Sequence, residues 1–394
     1  MRQTRTRSTV SARGFGAHVA GRERDVKSRQ STRALAIALA VSALPCCGAL
    51  PLKLIELPPG FEISIYAEHV AGARGLALGE RGTLFVGTYK EGKVYAVPLH
   101  ESGEKARPIT LARKLQDPTG VAFRDGALYV AEQTRILRFD DIEDRLSDPP
   151  APLVVLEGLP RQREHGLRTI HFGPDGLLYI AVGAPCNVCV PEAQYAQIAR
   201  ADLASWPLHK ELFAQGVRNS LGFDWDPRTG ELWFTDNGRE RLGEDPPSDE
   251  LDHAPAAGMH FGFPYCHAGE LPDTELGQQR DCSEFVPPAL QLAPQATPLG
   301  MRFYDAEQFP AEYRNAIFIA EHGSLNSRTK AGFRIAVVTL EGNRAVRYET
   351  FAKGWLQRGR PWGRPADVIV APDGALLVSD DKAGVVYRIA FRPE

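Results

Sequence analysis

The sequence predicts an all-β fold, a six-bladed β-propeller, on three observations. One phrase recurs six times: small or apolar residues, a turn rich in Gly, Asp and Pro, then a short β-branched or aromatic run. The turns recur at roughly 45–60 residues, the length of a four-stranded blade. Helical periodicity is nearly absent, with residues 141–146 the one short candidate.

The first phrase spans residues 75–86 and continues in 92–97. The second spans 120–130, with 135–139 after it, and the third 169–180. The fourth is 221–234. The fifth is more divergent, 299–304 followed by 315–319, and the last runs over 367–378 and closes with 385–389. Each alternates apolar and polar residues about its turn, and Asp-Gly supplies the positive φ of a two-residue hairpin loop. One hairpin cannot bury its own face, but six arranged radially can. A β-sandwich or a propeller of another size is the competing arrangement. The interval from Gly230 to Asn315 is long, which predicts an insertion of about thirty residues after the fourth phrase, within 239–297.

The propeller is expected over 50–394, behind a segment of different character. Residues 1–33 hold nine Lys/Arg and two Asp/Glu, and 34–44 (ALAIALAVSAL) carry no charge before Pro45, Cys46, Cys47, Gly48 and Ala49. A basic head, a short apolar run and small residues read as a secretory signal, too short to span a bilayer. The expectation is a periplasmic or secreted protein. Cys46 or Cys47 is a candidate for lipid attachment, and membrane contact is expected only in that case.

The chain has 394 residues, 43% hydrophobic and 24% charged, enough for a substantial core. Of its 46 basic and 49 acidic residues, those after residue 33 number 37 and 47. That acidic body excludes nucleic acid as a partner, since phosphate binding needs a basic face. Four cysteines follow the signal. In an oxidising compartment they suggest two disulfides, most simply Cys186–Cys189 and Cys266–Cys282, with a four-thiolate zinc site as the competing reading. Val190 after Cys189 rules out c-type haem attachment, which needs His there.

Ligands of propellers sit at one end of the central channel, so polar residues flanking the phrases are the candidates. His165, in Arg163-Glu164-His165-Gly166 before the third phrase, suits general-base chemistry near neutral pH, with Glu164 beside it. Arg218-Asn219 opens the fourth phrase and can hold a carboxylate or quinone oxygen by forked bonds. Glu244, Asp245, Asp249, Glu250 and Asp252 crowd a Pro-broken stretch that suits a hard cation or forms a solvated acidic loop. Trp355 and Trp362, flanked by arginines, form a sugar-stacking wall, clamp a cofactor or plug the closing seam.

These motifs in their order resemble the glucose/sorbosone dehydrogenase family of soluble quinoproteins, closest to the sorbosone dehydrogenase branch. The likeness runs from Leu57-Pro-Pro-Gly-Phe to Arg388-Ile389. It rests on His165-Gly166 with Phe172-Gly-Pro-Asp-Gly-Leu-Leu-Tyr179, Val182-Gly-Ala-Pro-Cys-Asn187, Gly216-Val-Arg-Asn219, Asp236-Asn-Gly238, Ser248-Asp-Glu-Leu251, Gly262-Phe-Pro-Tyr265 and Gly363-Arg-Pro-Ala-Asp-Val368. The resemblance implies oxidation of a sugar or sugar aldehyde with pyrroloquinoline quinone (PQQ) and calcium, and an external cytochrome or quinone as electron acceptor. It implies His165 as general base, Arg218, Asn219 and Arg364 as cofactor ligands, and the loop at Glu244 and Asp245 as the calcium site. Glu164 and the two tryptophans fall on the substrate side. The sequence departs from the family where a second arginine is replaced by Ala366 and where a lysine of the fifth blade has no match near Glu321-His322-Gly323-Ser324-Leu325-Asn326. His322, Asn326 and Arg328 are the available substitutes. The rival functions are a calcium-dependent lactone or ester hydrolase and a non-catalytic propeller binding carbohydrate or protein.

Overall fold

Six antiparallel sheets arranged around a common axis form the fold in the computed structural model, which describes residues 50–99, 107–205, 209–240, 246–324 and 330–392. From the axis outward, blade 1 comprises Ala73–Leu78, Leu84–Thr88, Val94–Val97 and Ile109–Ala112. Blade 2 comprises Gly120–Arg124, Ala127–Ala131, Arg135–Phe139 and Leu153–Glu157. Blade 3 comprises Ile170–Phe172, Leu178–Val182, Gln197–Asp202 and His209–Gln215. Blade 4 comprises Gly222–Trp225, Leu232–Asp236, Glu250–Ala254 and Leu290–Gln291, and blade 5 Pro298–Phe303, Ile317–Glu321, Arg334–Glu341 and Arg344–Lys353. Blade 6 takes Pro365–Val370, Leu376–Asp380 and Val385–Phe391 from the C-terminus and its outer strand, Phe61–Glu68, from the N-terminal end. That pairing closes the ring.

Turn chemistry accounts for the hairpins. In blade 2, Asp125 and Gly126 are the whole loop between two strands and both take positive φ, +50° and +75°. The candidate helix reduces to one 3₁₀ turn, Ile142–Asp144.

Adjacent inner strands pack backbone to backbone. A Cβ on Gly222 would lie 2.0 Å from the Leu299 carbonyl, and one on Gly300 1.8 Å from Asp367 Oδ1, so only glycine admits the approach. Side chains stitch the seams: Thr235 Oγ1 donates to Leu299 O at 2.9 Å, and Leu76 N donates to Asp367 Oδ2 at 2.8 Å. The apolar core fills the wedges between blades, as with Phe85, Leu128 and Phe139 between blades 1 and 2. Trp355 belongs to the wedge between blades 5 and 6 and is fully buried beside Tyr387.

The expected insertion after blade 4 lies instead within it. Glu250–Ala254 and Leu290–Gln291 are that blade's third and fourth strands, and the extra residues form the excursion between them. The excursion adds the parallel strand Met259–His260 to blade 3 and a hairpin of Cys266–His267 with Leu271–Pro272. Glu250–Ala254 (ELDHA) escaped notice as a strand because its alternation sets acids inward. The disulfides are Cys186–Cys189 and Cys266–Cys282, which removes the zinc alternative. The signal segment with Cys46 and Cys47 lies outside the described residues. Among those described, no helix is long and apolar enough to cross a membrane.

Candidate functional site

The segments entering the inner strands of blades 3, 4 and 6, and the start of the blade 1 inner strand, bring His165, Arg218, Asn219, Arg364 and Arg74 to one end of the axis. His165 adopts a left-handed backbone, φ +50°, rare for a residue with a side chain. Its Nδ1 lies 2.9 Å from the Ala184 carbonyl. A carbonyl only accepts, so Nδ1 carries the proton and Nε2 keeps its lone pair. Burial, reinforced by the Arg218 charge, lowers the imidazole to about 4, so it is neutral at physiological pH. Gly183 makes the fit possible, since a Cβ there would come within 2.6 Å of the His165 Cβ.

Arg218 is buried and locked by oxygens that carry no charge. Its Nε donates to Asn187 O at 3.1 Å, Nη2 to Asn187 Oδ1 at 2.7 Å and Nη1 to Asn237 O at 2.9 Å. The Cys186–Cys189 loop therefore presents Asn187 to the arginine. The backbone amides of Arg218 and Asn219 donate to the Asp236 carboxylate, which burial pushes up to about 6. Asn219 Oδ1 is buried without a partner.

Arg364 is held in the same manner. Its Nε donates to His322 O at 3.1 Å and Nη2 to Gly323 O at 2.5 Å, with the guanidinium over the Phe333 ring. Burial lowers it to about 10. Beside it, Arg74 pairs with Asp381 at 2.8 Å and lies over Tyr89. His322 Nε2 is 2.9 Å from Asp381 Oδ1. Burial and then Arg74 lower His322 to about 3, so it is a neutral donor to that carboxylate. Nε2 then holds a hydrogen, and its 3.4 Å approach to Arg74 Nη2 is not a hydrogen bond.

Arg74 and Asp381 were missed in the sequence. Arg74 stands one residue before the first phrase, where Arg218-Asn219 stand before the fourth, and that parallel was the available signal. Asp381 directly follows the blade 6 strand Leu376–Asp380. Beneath the mouth the channel narrows to a cavity of about 30 Å³ lined by Thr119, Thr169, His171 and Asp367. At roughly 10–15 Å³ each it has room for two or three waters, so any larger ligand sits at the mouth.

Other expectations fare differently. Glu164 is exposed. Trp355, with no exposed surface, offers no face to a sugar, and Trp362 packs on it and donates its indole N–H to Gly354 O. Both plug the closing seam. Glu244, Asp245, Asn326 and Arg328 lie outside the described residues. The other acids of that stretch form no solvated loop. Asp249 accepts from Gly238 N and Thr297 N, Glu250 accepts from Ala268 N, and Asp252 is buried with both oxygens unpartnered. Among the described residues, no group of three or more His, Cys, Asp or Glu is placed to hold a metal.

Fold and site together define a six-bladed propeller protein with a histidine and several arginines gathered at one end of its axis. A family model described as TrAA12-like matches residues 55–391, and the chain belongs to that family. It is 30% identical over 353 residues to an uncharacterized protein of Borreliella burgdorferi, covering 86% of this chain and 91% of that one. Solved structures share the fold. The calcium structure of a Trichoderma reesei carbohydrate-active enzyme of family AA12 has a TM-score of 0.74 at 18% identity, covering 85% of this chain and 96% of that one. The holo PQQ domain of Coprinopsis cinerea pyranose dehydrogenase follows at 0.71 and 20%, covering 85% and 97%. The PQQ-bound aldose sugar dehydrogenase of Streptomyces coelicolor has 0.60 and 19%, covering 85% and 100%.

Proposed function

We propose that this protein is a PQQ- and calcium-dependent dehydrogenase of a sugar or sugar aldehyde, of aldose or sorbosone type, acting in the periplasm or outside the cell. The observation that carries the reading is a pair of guanidiniums, the buried Arg218 and the half-buried Arg364, whose hydrogen bonds all go to neutral oxygens. Guanidiniums bonded only to neutral oxygens keep their charge available to an anion, and PQQ is a tricarboxylate. The donor set fits it. Arg218, Arg364 and Arg74 would hold its carboxylate and quinone oxygens, with Asn219 alongside. The names of the neighbouring structures point the same way. Calcium belongs to the proposal through the loop at Glu244 and Asp245.

When bound, the quinone supplies a two-electron hydride acceptor. The chain's own residues supply the rest. His165, neutral and with its proton fixed on Nδ1, accepts at Nε2 the proton of the substrate hydroxyl as that carbon is oxidised. The Ala184 carbonyl holds the imidazole in this tautomer and stabilises the imidazolium that forms. The electron acceptor is an external cytochrome or quinone. A hydrolase would need free carboxylates from several blades converging on the axis, whereas Asp236, Asp249 and Glu250 accept from backbone amides and Asp381 of blade 6 is paired with Arg74 and His322.

The test is titration of the purified protein with PQQ and calcium, followed by absorbance, then addition of aldoses and sorbosone. Stoichiometric, calcium-dependent binding with sugar-driven bleaching is expected. Absence of binding at micromolar cofactor would overturn the reading.

A further inference from the structure

Arg168 enters blade 3 three residues after His165 and is 1% exposed. No carboxylate pairs with it among the described residues. Its Nη2 donates to Pro160 O at 2.5 Å and Gln162 Oε1 at 3.3 Å, and its Nη1 to Leu167 O at 3.2 Å and, at the limit of 3.5 Å, to His165 O. The Nε has no partner. Burial lowers the guanidinium to about 10. A charge buried without a counter-charge weakens a fold, so stability does not explain it.

Geometry does. A planar fork with five donors addresses several carbonyls at once, as neither lysine nor a neutral side chain can. Every oxygen it reaches belongs to the segment 160–167, which turns through the left-handed His165. Gln162 extends the same scaffold. Its Oε1 accepts from Arg168, while its Nε2 donates to His165 O at 2.8 Å and to Gly183 O at 2.9 Å. Gln133 Nε2 in turn donates to Gln162 O at 2.6 Å. A left-handed residue with a side chain is unfavourable by about 1–2 kcal/mol, and this cage opposes its relaxation.

We propose that Arg168, together with Gln162, is a positioning residue for the base, holding His165 in the left-handed turn that lays Nδ1 on the Ala184 carbonyl and leaves Nε2 open to a proton. The proposal rests on the reading of His165 as the base. Arg218 is the charged group facing His165 from the blade 4 entrance, and Glu164 and Arg163 adjoin it on its own segment, exposed. None of these changes in the variants below.

The test is nitrogen NMR of the full protein labelled in histidine, on wild type, Arg168→Lys, Arg168→Met and Gln162→Met, each below its melting temperature. Wild-type His165 is expected as one neutral Nδ1–H tautomer that titrates near 4. In the Arg168 variants the tautomer should mix and the titration should move up toward the ordinary value of about 6.5, because the ring gains solvent. Gln162→Met should show the same change in smaller degree. With PQQ bound, kcat should fall by roughly 10- to 100-fold while cofactor affinity stays within about threefold. A residue that merely stabilises the fold would lower the melting temperature without moving the His165 titration. An unchanged tautomer and titration in the folded variants overturns the proposal. If the Arg168 variants do not fold, Gln162→Met decides by the same criterion. If His165 responds as expected but no form oxidises a sugar, the functional reading fails and the positioning role stands.

Discussion

At the scale of single residues, the site is governed by how its charges are held. His165 is kept neutral by burial, and the Arg218 and Arg364 guanidiniums hydrogen-bond only to neutral oxygens, with Asp236 near the first and Asp381 near the second. Replacing His165 by alanine should lower kcat by about 10²–10⁴-fold, the usual contribution of a general base, with PQQ affinity nearly unchanged. Stopped-flow reduction of the bound cofactor measures both, and undiminished turnover would remove the base assignment. The base works only when unprotonated, so activity should persist at higher pH and be lost as pH falls through about 4. A kcat/KM profile whose acid limb sits at the ordinary histidine value would show that the imidazole is solvated in the working enzyme.

At the scale of elements, blade 4 carries a tension of its own. Its third strand sets Glu250 and Asp252 into the wedge with blade 3, and burial pushes Glu250 up to about 8 and neighbouring Asp249 to about 7. The folded state thus keeps protons on these two groups that the unfolded chain releases near 4, and their contribution to stability declines as pH rises from about 4 to 8. Glu250→Gln retains an acceptor for Ala268 N and removes the charge. It should raise the melting temperature at pH 8 and barely at pH 5; equal shifts at both would disprove the account. The excursion from the same blade is stapled by Cys266–Cys282, sixteen residues apart. Replacing both cysteines by serine should lower stability by about 3 kcal/mol in urea unfolding, the loop-entropy value for such a span.

At the scale of the whole molecule, the ring is closed by one strand from the far end of the chain. Phe61–Glu68 pairs with Val385–Phe391, and Phe61 packs edge-on against Phe309 and Phe351 with centroids 4.7 and 5.0 Å away. Removing residues 50–68 strips blade 6 of its outer strand and uncovers that aromatic cluster. The truncated protein should lose the single sharp calorimetric transition of the intact one. A transition of unchanged sharpness and temperature would mean that closure contributes nothing to cooperativity.

How much could be read beforehand follows from how local each signal is. The blade count, the hairpin turns and the two cysteine pairs were legible because Asp-Gly turns, period-two alternation and short spacings act over a few residues. His165, Arg218, Asn219 and Arg364 were legible from the resemblance, and the structure brings them to one end of the axis. Glu250–Ala254 was not legible as a strand, because its inward residues include two acids, Glu250 held by the Ala268 amide and Asp252 buried without a partner. Nor could the sequence show that Trp355 is interior, since an aromatic beside arginines reads alike on a surface or in a seam. Arg74, Asp381 and Arg168 depend most on tertiary structure. Arg74 meets Asp381 across 307 positions of sequence, and Arg168 has meaning only once the chain wraps around it. The sequence by itself determined the repeating unit and the chemistry available, through interactions that decay within a hairpin. Only closure of the ring decided which cations and carboxylates meet, because that depends on which strand ends converge on the axis.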